Sequence, residues 1–451
     1  MRSTRGHGHE PRFVSILRMN ACGRFARWAL GVLLLWNLPA QDRTPYPQPD
    51  SKKGLQVQMV DDALALGIRH AALNVDLTAL VDLDGGDDAL AWRHGGERFW
   101  LRRAPIEALD AQVAPLGRAG VVVSAILLAC HSGDPARDRL VVHSRCTQRA
   151  PNGIAAFATD SDAGRRWLAA ATAFLAARYS GKAEHGRIWN WIVGNEVNSH
   201  WWWYHLGKAD LADVVDAYES AVRIVHGAVR EHSRNGRVFV SLEHHWNQRY
   251  AAGDAQQAVP GRALLEAFAA KVRARGDFDW HVAFHPYPED LFECRFWRDT
   301  TAPDADDAHR VTFRNLQVLA RFLDRPELQW RGAPRRVILS EQGFHCRDGD
   351  DGERDQAAAF ALAWSIVQRS PGIDALILHR HVDHAHEGGL RLGLWTRKAD
   401  SVCTPERRRR MADVFAACDT AAWPACAAFA LPVLGIERFE DWMIGATPKA
   451  R

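Results

Sequence analysis

Past residue 50 the chain alternates short apolar runs rich in β-branched residues with stretches of helical period, and it does so eight times. The runs are KKGLQVQ at 52–58, IRHAALNV at 68–75, VVVSAILLA at 121–129, RIWNWIVGN at 187–195, RVFVSLE at 237–243, WHVAFHP at 280–286, RVILSE at 336–341 and IDALILH at 373–379. Near-continuous apolar runs of this kind mark strands buried on both faces, which is the signature of a parallel sheet covered by helices. Eight such units in 451 residues predict a (β/α)8 barrel with loop insertions, a fold that spans from about 200 to over 400 residues.

The intervening segments support this. Leu211, Val214, Val215, Tyr218, Val222, Val225 and Val229 recur at three- and four-residue steps and form one apolar stripe. A second helix, around Trp167 to Tyr179, follows Ser161 and Asp162, both good N-caps. The Gly- and Asp-rich stretch 83–97 reads as a loop or hairpin insertion, and 131–160 as a long irregular loop. The first strand is the weakest of the eight.

In such barrels chemistry gathers at the C-terminal ends of the strands. There the fourth strand carries Asn195 and Glu196, the sixth His285 and Tyr287, and the seventh Glu341. Two carboxylates at the tips of strands four and seven face each other across the barrel mouth. Glycosidic cleavage needs such a pair: one carboxyl protonated to give a proton to the leaving oxygen, one ionised to attack the anomeric carbon. Glu243, Glu289 and Asp290, which end or follow strands five and six, are rival carboxylates.

The motifs GNEVN, HPY and SEQG, in this order, resemble those of the clan of retaining glycoside hydrolases built on (β/α)8 barrels, which includes the family 5 cellulases and mannanases. The likeness spans roughly residues 50–435 and is closest to an uncharacterised bacterial barrel family within that superfamily. The resemblance implies Glu196 as acid/base, Glu341 as nucleophile, Asn195 as partner of the sugar 2-hydroxyl and Tyr287 as donor to Glu341. It also implies an O-glycosyl hydrolase that needs no cofactor or metal. One feature departs from the pattern: where many clan members place an arginine on strand two, this chain has Ala72, with Asn74 and Arg69 nearby, so Glu341 must be supported from elsewhere.

Other side chains are assigned to substrate. His285 is expected to hold a neighbouring carboxylate or a sugar hydroxyl. Trp202, from the run HWWWYH at 200–205, together with Trp246 and Trp395, offers rings that could cover the apolar face of a sugar. Three successive tryptophans cannot all face one way, so part of that run is packing. These features point to an oligo- or polysaccharide substrate.

The stretch HRHVDHAHEGG at 379–389 matches the HxHxDH signature of di-zinc hydrolases of the metallo-β-lactamase type. Those enzymes need a further histidine well downstream, and no histidine follows His386. The stretch also follows the eighth strand, so it is better read as a loop crossing the barrel mouth, with His379, His381 or Asp383 directed at substrate. Two rival functions stay open: a non-catalytic carbohydrate-binding barrel, and a zinc hydrolase using the 379–384 cluster.

Composition narrows the partners. The chain is 47% apolar and 25% charged with a net charge of +3, and its basic residues are interleaved with acidic ones, which argues against nucleic acid. The run Arg407–Arg410 reads as the solvated face of a late helix. Residues 1–40, basic residues ahead of the apolar WALGVLLLWNLPA, have the pattern of a signal peptide ending at Ala40, too short for a membrane span. The alternative is a helix packed on the domain, and Met19 could be the true start. On the export reading the protein is secreted or periplasmic, with a single catalytic domain over 41–451, no stable membrane insertion after processing, and a monomeric state. Cys130 and Cys146 bracket a loop that a disulfide would close, although connectivity does not follow from sequence.

Overall fold

A computed structural model describes residues 41–251 and 253–442. The proposed signal peptide lies outside the described residues. Eight parallel strands form the barrel: β1 Lys53–Gln56, β2 His70–Asp76, β3 Val122–Cys130, β4 Ile188–Val193, β5 Arg237–Glu243, β6 Trp280–His285, β7 Val337–Leu339 and β8 Ile373–Leu378. Each strand pairs with its neighbour in sequence, β8 pairs back onto β1 through Lys53↔Leu376, and β2 runs along β3 from His70↔Val122 to Asp76↔Leu128. The sheet is therefore closed and has no free edge.

The main covering helices are α1 Val60–Ala65, α2 Arg103–Arg118, α3 Asp162–Arg178, α4 Leu211–His232, α5 Gly261–Ala274, α6 Gln317–Leu323, α7 Gly349–Gln368 and α8 Arg410–Ala417. Of the two cap candidates before α3, Ser161 is the cap, its Oγ accepting from Gly164 N at 3.0 Å, and Asp162 is the first helical residue; Asp210 caps α4 by accepting from Asp213 N at 2.9 Å. The 83–97 insertion is an antiparallel hairpin, Ala89–His94 with Glu97–Arg102. Among the described residues no helix is long and apolar enough to cross a membrane.

Strand alternation decides what reaches the mouth. Ala72, Ile126, Ile192, Phe239, Ala283, Ile338 and Ile377 pack together inside the barrel. Counting two residues onward along a strand keeps a side chain on the same face. From Gly54 this leads to Gln56, from Ala72 to Asn74, from Phe239 to Ser241 and Glu243, from Ala283 to His285, and from Ile377 to His379. Gly54 is needed where it stands, because a Cβ there would lie 2.8 Å from Ile377 and 2.9 Å from His70. At the opposite end the segment after Gln41 closes the barrel floor: the Tyr46 hydroxyl donates to Asn190 Oδ1 at 3.0 Å, and the Arg237 guanidinium lies 3.6 Å from the Tyr46 ring centre.

Two expectations are corrected here. Cys130 and Cys146 are both free thiols, and the Cys146 sulfur lies 3.4 Å from His131 Nε2. The arginine run is not a solvated helix face. Arg407 and Arg408 belong to the hairpin strand Pro405–Arg408, and Arg409, only 4% exposed, forms a two-point ion pair with buried Asp383.

Candidate active site

Glu196 sits just past β4, where the chain turns out of the barrel through a left-handed residue (φ 40°, ψ 52°) into the 3-10 turn Val197–Ser199. A non-glycine residue in this region persists only where its surroundings hold it. The Tyr218 hydroxyl of α4 donates to Val193 O at 2.7 Å and accepts from Ser241 N at 2.8 Å, which joins the ends of β4 and β5. Ser241 Oγ in turn accepts from Glu196 N at 3.0 Å.

Within the mouth, an oxygen of Glu196, a ring nitrogen of His285 and an oxygen of Glu341 all lie within 4.8 Å of one another. His285 Nδ1 is 2.8 Å from Glu196 Oε1, and its Nε2 is 3.0 Å from Ser340 Oγ. Burial pushes the Glu196 carboxyl up to about 7, with the charges of Glu341 and Glu243 adding to the effect and the His285 hydrogen bond opposing it. Burial also disfavours a charged His285, but its bond to Glu196 and the surrounding carboxylates win, so its proton is held more tightly than usual.

Glu341 is less buried than Glu196 and receives two donors. The Tyr287 hydroxyl donates to its Oε1 at 3.1 Å, and Gln56 Nε2 donates to its Oε2 at 3.2 Å. Burial, together with the nearby carboxylates, raises the Tyr287 phenol well above its ordinary range and keeps the proton on the donor. Gln56 is the residue that sequence reasoning missed. It ends β1 and supports Glu341 in a chain that lacks the strand-two arginine, and its other amide atom, Oε1, hydrogen-bonds His379 Nδ1. His379 Nε2 then lies 2.9 Å from Glu387, which also pairs with Arg380. Burial opposes ionisation of Glu387, but His379 and Arg380 outweigh it and hold the carboxyl below its usual range.

The remaining residues assigned from sequence divide. The amide of Asn195 makes no hydrogen bond to any described residue, although the residue is only 8% exposed, so it is free for a ligand beside Glu196. Trp202 is half-buried in the short helix His200–Trp203, with its ring perpendicular to the Tyr250 ring at 4.6 Å between centres. Trp201 instead packs its ring against His205 at 4.4 Å, as the turn of a helix requires of successive side chains. Trp395, also half-buried, donates its indole N–H to Asp62 at 2.9 Å.

Trp246 is not a sugar platform. It is 1% exposed and packed edge-on against Phe322 and Phe284, within the layer between barrel and helices. Nor do the residues of HRHVDH converge on a metal site. His381 is buried against Asp62 at 2.9 Å, Asp383 is taken by Arg409, His379 lies on Gln56 and Glu387, and His384 Nδ1 accepts from His386 N at 3.2 Å. Among the described residues, the donor groups close enough to share an ion are Glu196, His285 and Glu341, and Glu243, His244 and His245.

Solved structures of similar fold include a family 39 glycoside hydrolase from the gut symbiont Bacteroides cellulosilyticus WH2. It is 13% identical, with a TM-score of 0.51, over 82% of this chain and 64% of that one, so this chain spans less than two thirds of that protein's length. A hyperthermophilic β-glucosidase from Pyrococcus furiosus is 14% identical with a TM-score of 0.50, over 82% of this chain and 85% of that one. At these identities the likeness is one of fold. No curated protein matches. The pattern of one family, described as a family of unknown function (DUF5722), matches residues 45–442, and this chain belongs to that family.

Proposed function

We propose that this protein is a retaining glycoside hydrolase that cleaves O-glycosidic bonds of an oligo- or polysaccharide by double displacement. The observation that carries the reading is the pair Glu196 and Glu341, with carboxylate oxygens within 4.8 Å of each other but in unlike surroundings. Retaining enzymes hold their carboxyl groups about 5–5.5 Å apart, whereas inverting ones leave about 6.5–9.5 Å for a water. Glu196, buried and raised to about 7, is suited to carry the proton. Glu341 is suited to attack, with Tyr287 and Gln56 holding its two oxygens in place.

In the first step Glu341 bonds the anomeric carbon while the bond to the leaving oxygen breaks and takes the Glu196 proton. In the second, Glu196 removes a proton from water, which attacks the same carbon and releases Glu341. The Asn195 amide supports the transition state through the sugar hydroxyl next to the anomeric carbon, and Trp202 and Trp395 offer ring surface at the mouth.

The test is sugar release from plant, algal and bacterial polysaccharides and aryl glycosides by the wild type, by Glu341→Ala and by the wild type with EDTA. The reading expects activity that survives EDTA and is lost in a folded Glu341→Ala. Because Glu196, His285 and Glu341 are also spaced to share a cation, activity that EDTA abolishes would favour a metallohydrolase instead.

A further inference from the structure

Glu243 ends β5 on the inner face of the barrel and is 6% exposed, yet the chemistry above makes no use of it. Its carboxylate is enclosed by donors. Oε1 accepts from Ser199 Oγ at 2.8 Å and from the Asn198 amide. Oε2 accepts from His245 N at 3.0 Å and from His245 Nδ1 at 2.7 Å. Asn198 is held a second time, since its Oδ1 accepts from Glu243 N at 2.9 Å. Neither Lys nor Arg among the described residues forms an ion pair with Glu243. The titratable groups facing it are His245 at 2.7 Å, His244 at 3.7 Å, and the site residues Glu196 and His285.

Asn198 and Ser199 form the turn immediately after Glu196, and Ser199 N donates to Glu196 O at 2.8 Å. β5 therefore grips the left-handed corner on both sides, through Ser241 on the Glu196 backbone and through Glu243 on Asn198 and Ser199. A buried carboxylate costs several kcal/mol to desolvate, and a neutral side chain would close this turn at less expense. What the carboxylate adds is a fixed negative charge beside Glu196.

We propose that Glu243 is a positioning residue for the acid/base: it fixes the turn that carries Glu196 and sets a permanent anion against that carboxyl, so that Glu196 holds its proton until the leaving oxygen takes it. The electrostatics agree. Burial alone would raise Glu243, but His245, His244 and the backbone donor outweigh burial and bring it down to about 2. Its charge is one of those that raise Glu196, alongside Glu341 and against His285.

This inference rests on the glycosidase reading, and the leaving group separates the two. Wild type, Glu243→Gln and Ser199→Ala are compared on the 2,4-dinitrophenyl and phenyl glycosides of the sugar released in the panel. Dinitrophenolate departs without a proton, whereas phenol needs one. Glu243→Gln is expected to lower kcat/KM on the phenyl glycoside by roughly 10- to 100-fold, part of the 10²–10⁴ that general acid catalysis supplies, and on the dinitrophenyl glycoside by less than about threefold. The basic limb of its pH profile should move to lower pH. Ser199→Ala, which removes one donor and leaves the charge, should show a smaller loss with the same preference, and it decides the matter if Glu243→Gln does not fold. Equal losses on both substrates with an unmoved basic limb would overturn the proposal and leave Glu243 a structural residue. A wild type that releases no sugar from any member of the panel would instead refute the glycosidase reading itself.

Discussion

Replacing Gln56 with leucine removes one of the two donors to Glu341 while nearly conserving side-chain volume. The bond lost is an amide N–H to a carboxylate at 3.2 Å, and hydrogen bonds to charged groups contribute about 1.5–3 kcal/mol. At about 1.4 kcal/mol per factor of ten, the expected fall in kcat/KM is roughly 10- to 150-fold. The lower half of that range fits best, because the bond is long and the Tyr287 hydroxyl remains at 3.1 Å. His379 loses its contact to Gln56 as well, but it keeps Glu387. The assay is initial-rate kinetics on the best aryl glycoside, with circular dichroism to show that the variant is folded. Gln56→Glu should be worse than leucine, since it sets a further carboxyl group against the pair. A folded Gln56→Leu within twofold of wild type would refute the idea that Gln56 stands in for the missing strand-two arginine.

Other outcomes follow from the same structure. If Glu196 gives its proton in the proposed mechanism, then, since burial raises it to about 7, kcat/KM should fall as pH rises through about 7. The linkage has the matching sign: the folded state binds this proton more tightly than the unfolded chain, so the stabilisation is present at low pH and lost as pH rises through the folded value. Glu196→Gln should therefore raise the melting temperature more at pH 8 than at pH 5, as scanning calorimetry would show. Trp246→Ala should destabilise by about 3–5 kcal/mol in denaturant titration, as removal of a fully buried aromatic does, while activity per folded molecule stays near wild type. Asp383→Ala should also destabilise by about 3–5 kcal/mol, since it leaves Arg409 buried without its partner.

The barrel was legible because continuous apolar runs and strand-end chemistry are local. Every one of the eight apolar runs contains a strand, with ends shifted by a few residues. Glu196, His285, Tyr287 and Glu341 could be placed at the mouth because each ends its strand or follows it within three residues. Gln56 was missed because a lone glutamine ending a short strand looks ordinary, although counting two from Gly54 puts it on the inner face. Trp246 was misassigned for the opposite reason: it comes three residues after a strand end, but the loop turns back and buries the ring against Phe322. In HRHVDH the spacing imitates a metal motif, while the partners that claim the side chains, Asp62, Gln56 and Arg409, lie 26 or more residues away in the chain. Such long-range pairings leave no periodic trace.

Double displacement requires Glu341 to form a covalent bond to sugar. The most direct measurement is incubation with the 2-deoxy-2-fluoro glycosyl fluoride of the cleaved sugar, followed by peptide mass spectrometry. Double displacement predicts one glycosyl group per protein, on the peptide carrying Glu341, with activity lost in step. A label on a different carboxylate, or an active enzyme that turns this reagent over or ignores it without ever forming an adduct, would contradict it.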